Sequence, residues 1–231
     1  MHGITAVLPA FNEAENLAFV VSELNATLCS AVREYEIIVV NDGSSDNTAS
    51  VLAELQKKYS LLKTISFLSN QGYGRCFCAG VHSAKYEYVL FTDTDGQFVY
   101  SDLLKILPVS PEVDAYLGYR VNKQYGILRN LCSRIFNWLI RIVFGLKVRD
   151  INCAVKLYKK GVCIPDKLIS RRFFVNAELL IRLHSRGCVV HEFPVTHRPR
   201  KTGVSTVRCI EVLNTFIDAA RFVQSRVYEK K

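Results

Sequence analysis

The chain has no run of about 20 consecutive apolar residues, the length a helix needs to cross a bilayer. Its most apolar helical stretch, Ile135 to Leu146, is broken by Asn137 and Arg141. The opening residues Met1 to Pro9 run straight into a strand pattern and do not resemble a secretory signal, so none is expected. The expectation is a soluble or peripheral protein. No Cys-x-x-Cys pair occurs among the eight cysteines, most of which have apolar neighbours. That argues against a zinc site or a disulfide framework and for reduced, buried thiols in a cytosolic protein. The aromatics do not alternate with basic residues as a base-stacking platform requires, so nucleic acid is not an expected partner. Repeats, low-complexity tracts and linkers are missing too, and 231 residues suffice for one substantial core.

Acidic residues are scarce in one half only. Residues 1–116 hold 7 Lys/Arg against 14 Asp/Glu, net −7; residues 117–231 hold 23 against 7, net +16. Such a basic half is either a solvated surface or the site of an anionic partner.

The acidic half contains four successive strand-then-helix units. Apolar or β-branched runs occur at Ile4–Leu8, Tyr35–Val40, Lys63–Leu68 and Tyr88–Thr92. The first three are each followed by a helical pattern, to about Ser30, about Tyr59 and Ser83. This predicts an α/β fold with one mostly parallel sheet flanked by helices, because parallel neighbours need crossover connections. Polar residues then leave the strands at one sheet edge, where ligands bind in open α/β sheets: Pro9, Asp42, Asn70, Asp93 and Asp95. Asp93 and Asp95 flank one residue at a strand end and can emerge on the same side. Two oxygen donors aimed at one point suit a hard cation shared with substrate phosphates. The reading is that Asp95, with Gln97, holds Mg²⁺ or Mn²⁺ and Asp93 faces the nucleotide; a turn with a capping aspartate is the simpler account. Asn12 is a plausible helix N-cap, with Glu13 in the first turn, and Ser44 or Ser45 a plausible cap for the second helix.

In the basic half a strand is expected at Val113–Tyr119, and Gln124–Leu146 has helical spacing. Asn130, Arg134, Asn137 and Arg141 fall on one stripe of that helix, either solvated or facing a site where anions gather. Another strand follows Lys147–Asp150. Asn176 as N-cap and Glu178 on the dipole account for the next helix, and Val189–Phe193 is a strand. The basic loop Pro199–Thr206 can close over phosphates. A terminal amphipathic helix, Val207–Lys231, either packs on the core or lies on a membrane.

Taken together, these segments resemble glycosyltransferase family 2, in its dolichol-phosphate-mannose synthase-like (polyprenyl-phosphate glycosyltransferase) branch. The matching pieces are Leu8-Pro9-Ala10-Phe11-Asn12-Glu13, Asp42-Gly43-Ser44-Ser45-Asp46, Asn70-Gln71-Gly72, Asp93-Thr94-Asp95-Gly96-Gln97, Gly118-Tyr119-Arg120, Arg149-Asp150, Asn176-Ala177-Glu178 and Glu192 through Ser205. The resemblance implies a GT-A fold over residues 1–231, with a Rossmann-like, nucleotide-sugar- and metal-binding half (1–116) and an acceptor-binding half (117–231). It implies that Pro9, Phe11, Glu13, Val40 and Asp42 hold the nucleoside beside Asp93 and Thr94. Asp95 and Gln97 would coordinate Mg²⁺ or Mn²⁺, and Arg120, Arg134 and Arg200 would handle donor and acceptor phosphates. Thr206 stands at a phosphate-contact position where the synthases often have lysine. The implied reaction is inverting transfer from a nucleotide-diphosphate sugar to a polyprenyl phosphate, at the cytoplasmic face of a membrane, with a membrane partner protein or a second copy as possible company. The alternatives are transfer to a sugar or protein hydroxyl, with Glu178 or Asp150 as base, or an inactive nucleotide-sugar-binding protein.

Overall fold

A computed structural model describes residues 3–122, 127–163, 168, 170, 174–200, 217–219, 221 and 222. The strands are β1 (Ile4–Ala10), β2 (Tyr35–Asn41), β3 (Leu62–Ser66), β4 (Tyr88–Phe91), β5 (Ala115–Val121), β6 (Lys156–Lys159) and β7 (Val190–Thr196). The helices are α1 (Ala14–Ala31), α2 (Thr48–Lys58), α3 (Tyr73–Ser83), α4 (Ile127–Phe144), the short α5 (Lys160–Cys163) and α6 (Val175–Ser185). A 3-10 turn at Tyr100–Lys105 follows β4. Thr206, the loop beyond Arg200 and most of the terminal segment, including Arg208, Arg226, Lys230 and Lys231, lie outside the described residues.

All seven strands form one sheet in the order β3-β2-β1-β4-β6-β5-β7. The first four are parallel, as the alternation of strands and helices dictates. The sheet is mostly parallel, as expected, with one antiparallel strand in the second half: β6 runs antiparallel to both β4 and β5, while β5 and β7 are parallel. Inserted head-down, β6 brings its first residues beside the carboxyl end of β4, with Lys156 opposite Phe91.

The strand residues point alternately to two faces, and each face is covered. Leu17, Val20, Val21 and Leu24 of α1 join Leu52 and Leu55 of α2 over one. Phe77 and Val81 of α3, Phe136 and Ile140 of α4, and Leu180 and Leu183 of α6 cover the other. Gly80 allows α3 its close approach: a Cβ there would lie 2.1 Å from Val7 Cγ1.

β1 continues through Pro9, two residues past its expected end. β4 pairs only as far as Val7–Phe91, so Pro9 lies beyond its ladder. The Pro9 carbonyl, which shares the side of the missing N–H, instead accepts the Thr94 hydroxyl at 2.8 Å.

Candidate active site

The carboxyl ends of β1, β2 and β4 meet at one edge, and their loops are tied together before any ligand arrives. Asp42 donates its backbone N–H to Ala10 O at 2.8 Å. Asn12 is not a helix cap. It adopts a left-handed φ of 56°, and its Oδ1 accepts the Ser45 N–H at 2.8 Å while its own N–H donates to Ser44 Oγ at 3.0 Å. Short polar side chains tolerate that conformation because they bond locally. The second helix is likewise not capped by Ser44 or Ser45: Asp46 Oδ1 accepts the Thr48 N–H and Oδ2 that of Ala14.

Asp42 is nearly buried, and both its oxygens are engaged: Oδ1 accepts the Gln71 N–H at 2.7 Å and Oδ2 the Gly72 N–H at 3.0 Å. It therefore anchors the loop ahead of α3, where Gly72 has a φ of 91°. Val40 is wholly buried in the core, so its side chain packs against the protein itself. Phe11 is 36% exposed at the edge and open to a ligand. Thr94 is buried and serves as the tie to Pro9.

Glu13, Asp93 and Asp95 form an acidic rim. Burial, and then the charge of Asp95, push the Asp93 carboxyl up to about 7, against a 2.9 Å hydrogen bond from Tyr73 Oη and the positive charges of Lys156 and Arg120. Burial also raises Glu13, with Asp95 adding to it, although Glu13 accepts bonds from Asn16 and Arg200. Asp95 Oδ1 accepts the Gln97 N–H at 3.0 Å across Gly96, whose φ is 71°. The Gln97 side-chain nitrogen donates to Arg198 O at 3.2 Å, and the Arg198 N–H donates back to Gln97 O at 2.7 Å. Gln97 thus fastens the chain beyond β7 to the rim, and Arg200 closes an ion pair with Glu13 at 2.6 Å.

The cationic flank begins at Arg120, on the last turn of β5. Its guanidinium grips Asp150 in a two-pronged pair, with both N–O distances 2.8 Å, and both side chains are nearly buried. Beside it a cavity of about 700 Å³ is lined by Arg120, Arg134, Arg141, Arg149, Asn137 and Trp138 among others. Arg134, Asn137 and Arg141 of the predicted stripe thus line a real concavity, while the Asn130 side chain lies outside what is described. Asn137 is buried and accepts the Ile151 N–H at 2.9 Å, while Arg134 is exposed. Arg149 stacks over the Tyr119 ring at 4.6 Å. The structure brings Asp93 and Arg120 close enough to interact electrostatically, so rim and flank adjoin.

Two residues in this ground went unmarked in the sequence. Lys156 is fully buried, donates to Asn176 Oδ1 at 2.7 Å and to Cys153 O, and is brought down to about 8 by burial. A lysine inside the apolar run Ala154–Tyr158 was its only signal. Tyr73 bonds both Asp93 and Asn176, linking Lys156 to the rim. Asn176 is accordingly not the cap of α6. It lies inside the first turn as the acceptor for Lys156, and the helix starts after Phe174 with no side-chain cap. Glu178 is fully buried, accepting from Arg182 at 2.9 Å and from the Ser170 N–H at 2.8 Å.

A hard divalent cation fits this donor set. Carboxylate and amide oxygens at the rim match Mg²⁺ or Mn²⁺ rather than a thiophilic metal, and burial together with the neighbouring Asp95 charge raises Asp93, a strain that a cation would relieve. Among the described residues no three His, Cys, Asp or Glu close into a full protein cage. Phosphate and water oxygens are left to complete the shell, as is usual for Mg²⁺.

Comparison with known proteins bears on this geometry. A profile described as glycosyl transferase family 2 matches residues 5–165. The undecaprenyl-phosphate 4-deoxy-4-formamido-L-arabinose transferase of Edwardsiella ictaluri is 26% identical over 218 residues, 93% of this chain; the chain spans 66% of that relative's length. The crystal structure of mannosyl-3-phosphoglycerate synthase from Rubrobacter xylanophilus superposes with a TM-score of 0.70 at 18% identity, over 99% of this chain and 75% of that one. Glucosyl-3-phosphoglycerate synthase from Mycobacterium tuberculosis, solved with Mn²⁺, UDP-glucose and phosphoglyceric acid, gives 0.62 at 17% identity, over 86% and 72%. At these identities the solved structures establish the shared fold, the mixed-sheet GT-A fold.

Proposed function

Because the chain belongs to glycosyl transferase family 2, we propose that it moves a sugar, with inversion, from a nucleoside-diphosphate donor to an acceptor that carries a phosphate. The observation that carries this reading is the junction at one sheet edge of an acidic rim and an arginine-lined cavity, with Arg120 beside both. Residues 1–116 supply the donor side and 117–231 the acceptor side.

Asp95, helped by Gln97, would hold Mg²⁺ or Mn²⁺, which when bound neutralises charge on the departing diphosphate. The Mn²⁺ and UDP-glucose named with the mycobacterial enzyme support that assignment. Phe11 offers an exposed ring at the nucleotide end. Arg200, held at the rim by Glu13, and Arg120, held by Asp150, are fixed in place before charge develops, which is the arrangement that lowers a barrier without reorganisation. Arg134, exposed on α4, draws the acceptor phosphate into the cavity.

Two acceptors share this chemistry. The phosphoglycerate synthases support a small phosphorylated molecule that reacts through a hydroxyl, and these likenesses weigh towards that arm. A hydroxyl needs a base, and the two carboxylates suggested for it, Asp150 and Glu178, already hold Arg120 and Arg182. The Edwardsiella relative supports a polyprenyl phosphate, which is ionised near neutrality and needs none, and with it a place at the cytoplasmic face of a membrane. The deciding experiment is a transfer assay with UDP-, GDP- and dTDP-sugars, with and without Mn²⁺, offering phosphoglycerate in one series and short-chain prenyl phosphates in the other. Metal-dependent product in one series names the acceptor. Nucleotide binding without product in either would leave a nucleotide-sugar-binding protein.

A further inference from the structure

α4 leaves four large apolar side chains in water: Ile135 (47% exposed), Trp138 (60%), Ile142 (61%) and Val143 (62%). At 100° per residue they span an arc of about 140° on the helix. The buried residues of α4, Phe136, Asn137 and Ile140, are centred about 140° away, with Phe136 bordering Val143. Arg134 and Arg141 sit along the border nearest Trp138 and line the arginine cavity with it. No helix among the described residues is long and apolar enough to cross a membrane.

We infer that this face of α4 docks on the surface of an anionic bilayer, with Trp138, Ile142 and Val143 set among the headgroups. An apolar arc beside arginines is the pattern of a helix lying in the interface plane. Charge complementarity selects the occupant: the half of the chain that includes α4 carries a net +16, from 23 Lys/Arg against 7 Asp/Glu. A second copy of the same basic face would be repelled, whereas anionic headgroups attract it. The inference stands apart from the acceptor, although docking here would turn the arginine cavity towards lipid headgroups.

The protein has one tryptophan, so its emission reports this face alone. The full chain is mixed with phosphatidylcholine vesicles, with and without phosphatidylglycerol, and with no nucleotide or acceptor present. Expected are a blue shift of Trp138 emission and co-sedimentation with the anionic vesicles, both weakened by salt. The pair Ile142→Ser and Val143→Ser, which keeps Trp138, lowers vesicle partition by about tenfold or more. Leu68→Ser, at an exposed apolar residue in another part of the chain, leaves it unchanged. Unshifted emission on anionic vesicles, wild-type partition by the paired variant, or a shift that tracks self-association in light scattering without lipid each overturns the inference. Transfer to phosphoglycerate alone, with vesicle binding intact, would remove the lipid acceptor and leave this surface standing.

Discussion

The acidic rim and the arginine flank adjoin at one sheet edge but are held in different ways. Beside the rim, backbone amides of Gln71 and Gly72 fix Asp42; within it the Gln97 amide fixes Asp95, while Glu13 and Asp93 take side-chain bonds from Arg200 and Tyr73. The flank is fixed by ion pairs between long side chains, Arg120 with Asp150 and Arg149 with Glu192, and it leaves Arg134 exposed. A rim in which each acid is already held is a preorganised seat for one ligand geometry. A flank built from long side chains, with Arg134 and Arg149 exposed, can admit acceptors of different shape, provided they bring a phosphate.

The hardest blow to that contrast is Arg120→Ala, which strands the buried Asp150 carboxylate. Breaking one side of a buried pair costs about 3–5 kcal/mol, so a large fall in Tm is expected. An unchanged melting curve would mean the flank does not depend on this pair. Asp95→Ala acts on the other side: turnover drops about 10²–10³-fold while Tm barely moves, since the residue is part-exposed and outside the core. Retained sugar transfer by this variant removes the metal assignment. Arg134→Ala sharpens the comparison further. With an exposed side chain it leaves folding intact and raises acceptor KM about tenfold, the worth of one charged hydrogen bond, with donor KM unchanged. A rise in donor KM instead would move Arg134 to the rim.

A pH dependence probes the rim without touching the flank. The folded protein keeps a proton on Asp93 up to about 7, whereas an unfolded chain loses it near 4. The folded state therefore binds more protons between those values, and on this group's account stability falls as pH rises through them. Without metal, Asp93→Asn should melt higher than the wild type at pH 8, with the gain vanishing towards pH 4. Equal melting curves at every pH would place the repulsion elsewhere.

Much of the rim was legible because it is local. Apolar runs that stop at Asp42 or at Asp93-Thr94-Asp95 announce strand ends, and alternation with helices forces those ends to one edge. The partners of those residues were not legible. Asn12 looked like a cap because its neighbour Glu13 suits a helix start; its left-handed turn depends on Ser44 and Ser45, contributed by the loop after β2. Asn176 looked like a cap for the same reason, yet it answers to Lys156, twenty positions earlier. β6 escaped as an antiparallel insertion because orientation leaves no mark on a short apolar run.

The order of residues by itself settled the parallel strand–helix units, the edge where the acids emerge and the division of charge between the halves, since periodicity and composition act through near neighbours. Only the folded chain decided which acid meets which cation. Arg200 reaches Glu13 across 187 positions, and Lys156 comes to lie beneath Asp93 because β6 enters the sheet head-down. Those pairings depend on where the sheet places distant segments, which no local pattern encodes.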